Sequence, residues 1–350
     1  MAAAFFCTAS STLRSVATPT GLLARVPSTP PLLLRRLAIA NLIAQIGIGV
    51  TGSVVRVTGS GLGCSTWPQC EPGSMVPVSH AEIAPLHMWI EFSNRLLGVL
   101  VVLTAGATLL GALFTRPRRR RLIALACAMP LGVVAQAVIG GITVLAGLAW
   151  WTVMLHFLAS MVLVWFAVLL VTATTEDDGP VTRTVPPAGR GLILFSTAVL
   201  AVLLVAGTLV TGAGPHGGDP DTPRLDADIP ALTQLHVDSL FLYLGTLAGT
   251  GFLFHAVGAP AGLRRRYWTL VAVVLAQGLV GGVQYALGVP ELLVSLHVLG
   301  AGLVTAAAAW VWAGTASRPA PAGAPGGPGP APGADADTGR SLAGSGAERP

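Results

Sequence analysis

Residues 86–114 read LHMWIEFSNRLLGVLVVLTAGATLLGALF, and only Glu91 and Arg95 bring full charge into the run. A strand in a globular protein is about 5–6 residues long, so an apolar run of this length is a helix. At about 1.5 Å per residue it exceeds the roughly 30 Å hydrocarbon core of a bilayer. Seven further runs share the pattern, from Leu37 to Val55, Leu122 to Leu145, Trp151 to Ala173, Gly191 to Thr211, Leu232 to Val257, Trp268 to Leu287 and Leu292 to Ala313. Only helices satisfy the backbone over such lengths in lipid. The fold class is therefore an all-α polytopic membrane protein with eight transmembrane helices. Composition agrees, because hydrophobic residues make up 53% of the chain and charged residues 10%, against about 25% charged in a soluble domain.

Arginines sort the breaks between the runs into two kinds. Arg14, Arg25, Arg35 and Arg36 precede the first run, and later breaks hold Arg116 with Arg118 to Arg121, Arg183 with Arg190, and Arg264 with Arg265 and Arg266. The alternate breaks hold Arg56 and Arg224 alone. Basic residues stay cytoplasmic, so both termini are expected in the cytoplasm of a multi-pass cell (plasma) membrane protein, with 56–85 as an outside loop. Topology thus accounts for the net charge of +5 without nucleic acid, and arginines beside spans suit anionic membrane lipids. Residues 1–34 form a basic segment rich in Ser, Thr and Arg, and residues 316–350 are mostly Pro, Gly and Ala with scattered charge. Neither can bury a core, so both are expected to be disordered cytoplasmic tails, although the first 31 residues also have the make-up of an organellar transit peptide or an over-extended start.

The even number of spans hides a duplication. AQAVIGGITV from Ala135 matches AQGLVGGVQY from Ala276, and LHFLAS from Leu155 matches LHVLGA from Leu296, both at an offset of 141. Twenty positions separate Gln136 from His156, and the same number separate Gln277 from His297. With four spans per copy, the halves enter the membrane in the same sense. Two tandem four-helix bundles related by a pseudo-twofold axis along the membrane normal are expected. The N-terminal half covers 35–175, a cytoplasmic linker 176–190 and the C-terminal half 191–315.

Nearly the same offset carries Asn94 onto His236. Asn94, His156, His236 and His297 all lie within about two turns of the outer ends of their helices, so they can meet at one depth inside each half. A lone membrane histidine is most often a helix-to-helix hydrogen bond. Two histidines on separate helices, repeated by a duplication, are what axial ligation of haem iron in a bundle requires. Gly140, Gly141, Gly281 and Gly282 would let a flat macrocycle or a neighbouring helix come close. No third or fourth Cys, His or carboxylate ligand lies near either pair in sequence, which speaks against zinc.

GSVVRVTGSGLGCSTWPQC after the first span, EFSNR in the second, and histidines in spans four, six and eight resemble the haem A synthase family. The resemblance covers about residues 35–315. It implies an oxidoreductase that oxidises the C8 methyl of haem O to a formyl group by successive hydroxylations, for cytochrome oxidase assembly. It further implies a haem b cofactor on His236 and His297 in the C-terminal half, and substrate haem O beside His156, Asn94 and Arg95 in the N-terminal half. An electron donor that no motif identifies is required. The enzyme that makes haem O, and further copies of this chain in a homo-oligomer, are the other partners to expect.

In that family the glutamate at the position of Glu91 is associated with catalysis, where it would shuttle protons or stabilise positive charge at the methyl carbon. Arg95 lies one turn along the same face, so the two also read as mutual neutralisation. Asn94 departs from the family, which has histidine here, and an amide is a poor iron ligand. Either His156 alone holds the substrate iron, or His87 or Met88 substitutes, or the N-terminal site is inactive. The first reading is preferred, because His87 lies about 10 Å from the ligand position and Glu91 and Arg95 are retained. Cys64 and Cys70 frame a turn-forming proline outside the membrane, where a disulfide is usual, as the resemblance also implies; thiols active in reduction are the alternative. Cys7 and Cys127 read as unpaired thiols, His80 and His216 as solvated loop residues, and His255 as too distant to be a ligand. A membrane electron-transfer b-type cytochrome would use the same histidines without needing Glu91. A duplicated-bundle transporter would need no haem.

Overall fold

The computed structural model describes residues 27–78 and 84–318. The tail residues before 27, Cys7, His80 and the Pro/Gly/Ala-rich stretch from 319 onward lie outside the described residues. Among the described residues eight helices follow in order: α1 Pro31–Val57, α2 Pro85–Leu113, α3 Arg120–Leu145, α4 Trp150–Ala173, α5 Pro187–Ala213, α6 Ile229–Ala256, α7 Ala261–Ala286 and α8 Glu291–Ala313. All eight are long and apolar enough to cross a membrane. The protein is an all-α polytopic membrane protein. Side chains such as Phe252 and Leu292, 78% and 71% exposed, give it an apolar outer surface that only lipid would cover without penalty.

Several helices start earlier than their apolar runs. α1 begins at Pro31 rather than Leu37, α5 at Pro187 rather than Gly191, and α7 at Ala261, directly after Pro260. Proline at a helix start is pre-set in φ and loses no hydrogen bond, so it nucleates the helix in the polar zone before the apolar run begins. Arg35, Arg36, Arg190 and Arg264 to Arg266 thereby sit on the first turns of helices. Residues 31–34 are helical rather than part of a tail. Ala316 and Ser317, expected in the other tail, form a strand β2 paired antiparallel with β1, Thr182–Arg183, in the linker.

Two separate cores lie on either side of that linker. Leu34 and Ala38 of α1, Val101 and Ala105 of α2, Met129 of α3 and Leu170 of α4 belong to one. Leu200 of α5, Tyr243 and Phe254 of α6, Tyr267 of α7 and Val304 of α8 belong to the other. Between them α1 and α4 pack on α8, with Ile46 against Gly302 and the Thr305 hydroxyl 3.5 Å from Met161 Sδ. The connections after α3 and α7 share one turn geometry. Gly147–Leu148 after α3 and Gly288–Val289 after α7 all take positive φ, and Leu148 and Val289 each donate their N–H to the carbonyl five residues back, Thr143 and Gln284, at 2.9 Å.

Candidate functional site

In the C-terminal half, His236 on α6 and His297 on α8 face each other with ring centres 6.3 Å apart and ring planes 64° apart. A metal–nitrogen bond is about 2 Å, and each ring adds roughly 1 Å from nitrogen to centre, so one metal between two imidazoles separates the centres by about 6 Å. The spacing fits an axial pair. His236 donates its Nδ1–H to the carbonyl of Leu203 at 3.1 Å, leaving the Nε2 lone pair for a ligand bond, as metal-binding histidines generally arrange. Nδ1 of His297 is buried without a hydrogen-bond partner. A buried polar atom left alone costs roughly 1–3 kcal/mol, so the ring nitrogen is a candidate position for a ligand.

Glycines make the space for these rings. A Cβ on Gly207 of α5 would lie 2.9 Å from His236 Cε1, and one on Gly281 of α7 would lie 2.9 Å from His297 Cε1. In the N-terminal half a Cβ on Gly140 would stand 3.2 Å from His156 Cε1, and His156 Nδ1 is likewise buried and unpartnered. Gln136 and Gln277 make the same contact in their two halves, donating Nε2–H to the backbone carbonyls of His156 at 3.1 Å and His297 at 2.8 Å. The adjacent glycines differ in use: Gly141 accommodates Trp67 of the outside loop, whose Cδ2 would lie 2.5 Å from an added Cβ, and a Cβ on Gly282 would meet nothing within 4 Å. Thus Gly140 and Gly281 serve the histidines directly. Gly207 escapes a reading by motif, since nothing in the sequence of α5 points to a histidine in α6.

Asn94 is bound rather than free. Its Oδ1 accepts a hydrogen bond from the Thr51 hydroxyl of α1 at 2.7 Å. Thr51 and Gly207 stand equally far from the first prolines of two 27-residue helices. Where His236 has glycine beneath it, Asn94 has a threonine hydroxyl. His87, the considered substitute ligand, is engaged by the Ser60 hydroxyl at 2.9 Å from its Nδ1.

Glu91 is buried, 5% exposed, and both of its oxygens have partners. Oε1 accepts from Arg95 Nη2 at 2.5 Å and from Nε at 3.1 Å, and Oε2 accepts from the Cys64 N–H at 2.7 Å. Arg95 also donates Nη1–H to the carbonyls of Thr66 at 3.0 Å and Gln69 at 3.1 Å. Cys64 and Cys70 form a disulfide. The carboxylate and the guanidinium therefore latch the disulfide loop onto α2, while Trp67 of the same loop plugs α3. Spacing along α2 identifies the ion pair, but these loop contacts lie beyond what it can show. His216 is not merely solvated, because its Nε2 lies 2.9 Å from the carbonyl of Val289 and its own carbonyl accepts from Arg56 at 3.2 Å. Cys127 is a free thiol. Among the described residues no three His, Cys, Asp or Glu side chains gather around a common metal position, so the donor set on offer is the facing imidazoles.

Residues 35–215 match the family model described as cytochrome oxidase assembly protein. The heme A synthase of Alkalihalophilus pseudofirmus is 31% identical over 166 residues, 45% of this chain and 52% of that protein. The heme A synthase of Shouchella clausii is 30% identical over 185 residues, 51% of this chain and 58% of that protein. The heme A synthase of Lysinibacillus sphaericus is 33% identical over 146 residues, 41% of this chain and 46% of that protein. The chain spans about half the length of the curated relatives it matches.

Proposed function

From the membership of this chain in the cytochrome oxidase assembly protein family, we propose that it is a haem A synthase, oxidising the C8 methyl of haem O to a formyl group by successive hydroxylations. The observation that carries the reading is the facing pair His236 and His297, with ring centres 6.3 Å apart over a glycine bed. In this reading those imidazoles hold haem b, and the N-terminal half receives haem O with His156 as the single protein ligand. When bound, haem iron supplies the one-electron and dioxygen chemistry that side chains lack.

The chain's own residues do the rest. The hydrogen bond from His236 to Leu203 orients one ring, and Gln277 braces the backbone behind the other. Thr51 engages the Asn94 amide at 2.7 Å, so His156 would be the residue of this pair that holds haem O. Glu91, fixed by Arg95 and the Cys64 amide beneath the disulfide loop, is the carboxylate that would shuttle protons or stabilise positive charge developing at the methyl carbon. Trp67 and the loop exclude water from above. The two halves act as tandem bundles around a pseudo-twofold axis, with both termini in the cytoplasm and the disulfide loop outside the plasma membrane.

The test is chemical. Cells producing haem O but lacking haem A are given this chain, and their extracted haems are resolved by chromatography. Haem A is expected from the wild type, together with a low-spin haem b spectrum in the purified protein that His236→Ala and His297→Ala both abolish. A haem b spectrum without haem A would make the chain a b-type electron-transfer cytochrome, and a colourless protein would discard both readings.

A further inference from the structure

At the end of the molecule opposite the disulfide loop, a cavity of about 180 Å3 opens between the two halves. Arg121, Arg183, Arg190 and Arg318 line it, with Glu176 as its one carboxylate. That carboxylate is already paired with Arg121. Arg190 donates to the Thr315 hydroxyl at 2.7 Å and lies over Trp312, 4.6 Å from the ring centre. Arg318 donates to the carbonyl of Gly179 at 3.4 Å. Among the described residues the Arg183 side chain has neither a hydrogen bond nor an ion pair.

Retaining arginines on one side of a membrane requires only that they lie on that side; it does not require them to surround a cavity. Gathered as here, like charges repel unless an anion joins them. Guanidinium forks match phosphate oxygens in pairs, and they surpass lysine in doing so. The volume has room for about six waters at roughly 30 Å3 each, so a phosphate with its ester carbons fits. The remaining wall is apolar, formed by Leu169, Val181 and the ring of Trp312. An anion carried on an apolar body matches both walls, whereas a free ion matches one. We propose that this cavity binds the phosphate of an anionic phospholipid headgroup, seated where the N-terminal and C-terminal halves meet. The β1–β2 pairing and the Thr184 hydroxyl bond to the carbonyl of Gly314 at 2.7 Å close the site on the linker side, so a bound headgroup bridges the two halves.

Purified full-length protein in neutral detergent is incubated with phosphatidylglycerol or phosphatidylcholine and read by native mass spectrometry. Phosphatidylglycerol is expected to be retained in preference. Arg183→Gln, which breaks no contact of the fold, is expected to lower that retention about fivefold, the equivalent of ~1 kcal/mol per arginine at a membrane surface. Arg264→Gln lies at the same end outside the cavity and is expected to leave retention unchanged. Retention that survives millimolar inorganic phosphate assigns the site to lipid; displacement by phosphate overturns the lipid assignment in favour of a free anion. Equal retention of both lipids, or equal effects of the two variants, overturns the site itself.

Discussion

Asn94 and His236 correspond in the repeat, and the residue beneath each changes in step with it. Gly207 leaves room for an imidazole, whereas Thr51 fills that room and donates to the shorter amide. Asn94→His alone is therefore expected to overpack against Thr51 at a cost of about 1–3 kcal/mol. Asn94→His combined with Thr51→Gly recreates the C-terminal arrangement. With haem loaded, the double variant should show a second low-spin signal by electron paramagnetic resonance that the single variant lacks; identical spectra would mean that Thr51 does not govern the position. Glu91 calls for a different comparison. Its helical spacing from Arg95 announces an ion pair, and a pair that did nothing but neutralise itself would tolerate loss of both members. Because Arg95 also holds the carbonyls of Thr66 and Gln69, Glu91→Gln with Arg95→Gln is expected to loosen the disulfide loop and to lower folded yield below that of Glu91→Gln. Glu91→Gln by itself should fold, keep the haem b spectrum and yield no haem A. Normal haem A from that variant would reduce Glu91 to a latch.

Adjacent helical positions point about 100° apart, which is why two glycines in one motif serve different neighbours. Gly281 lies under His297, while a Cβ on Gly282 meets nothing. Gly281→Ala is expected to push His297 out of register, weakening haem b retention and shifting its spectrum, and Gly282→Ala should leave both unchanged. Optical titration with haem reads the difference, and equal behaviour would remove the glycine bed from the account. Gly141→Ala should act on the loop instead, because Trp67 stands where the new methyl group would go; faster proteolysis between Cys64 and Cys70 after reduction is the expected sign. The helix starts tell a similar story about legibility. Apolar runs mark the part of each helix that lipid demands, but the helices extend to Pro31, Pro187 and Ala261, the last directly after Pro260, where backbone geometry and not hydropathy sets the limit.

The arginine-rich breaks fall at one end of the bundle, where Arg119 donates to the carbonyl of Ala173 at 3.1 Å, Arg266 donates to that of Trp310 at 3.0 Å, and the linker pairs with the segment after α8. These bonds satisfy the last carbonyls of α4 and α8 with positive charge, which favours that end further. A reporter enzyme active only outside the cytoplasm, fused after Arg318, should be silent, and one inserted at Gly73 in the disulfide loop should be active; the reverse pattern would invert the orientation. The number of spans, the class, the tandem repeat and the arginine bias were all written in the chain, because each depends on composition over a single stretch or on a match between two stretches. The Gln–His spacing carried over directly, since each Gln meets the backbone of the histidine twenty residues on. Tertiary structure alone decided that Thr51 holds Asn94, that Glu91 fastens a loop, that Gly207 lies under His236 and that four arginines share a cavity with one carboxylate. Those relations depend on how far each helix is rotated and how closely it approaches a neighbour distant in sequence, and packing of the whole bundle sets both quantities.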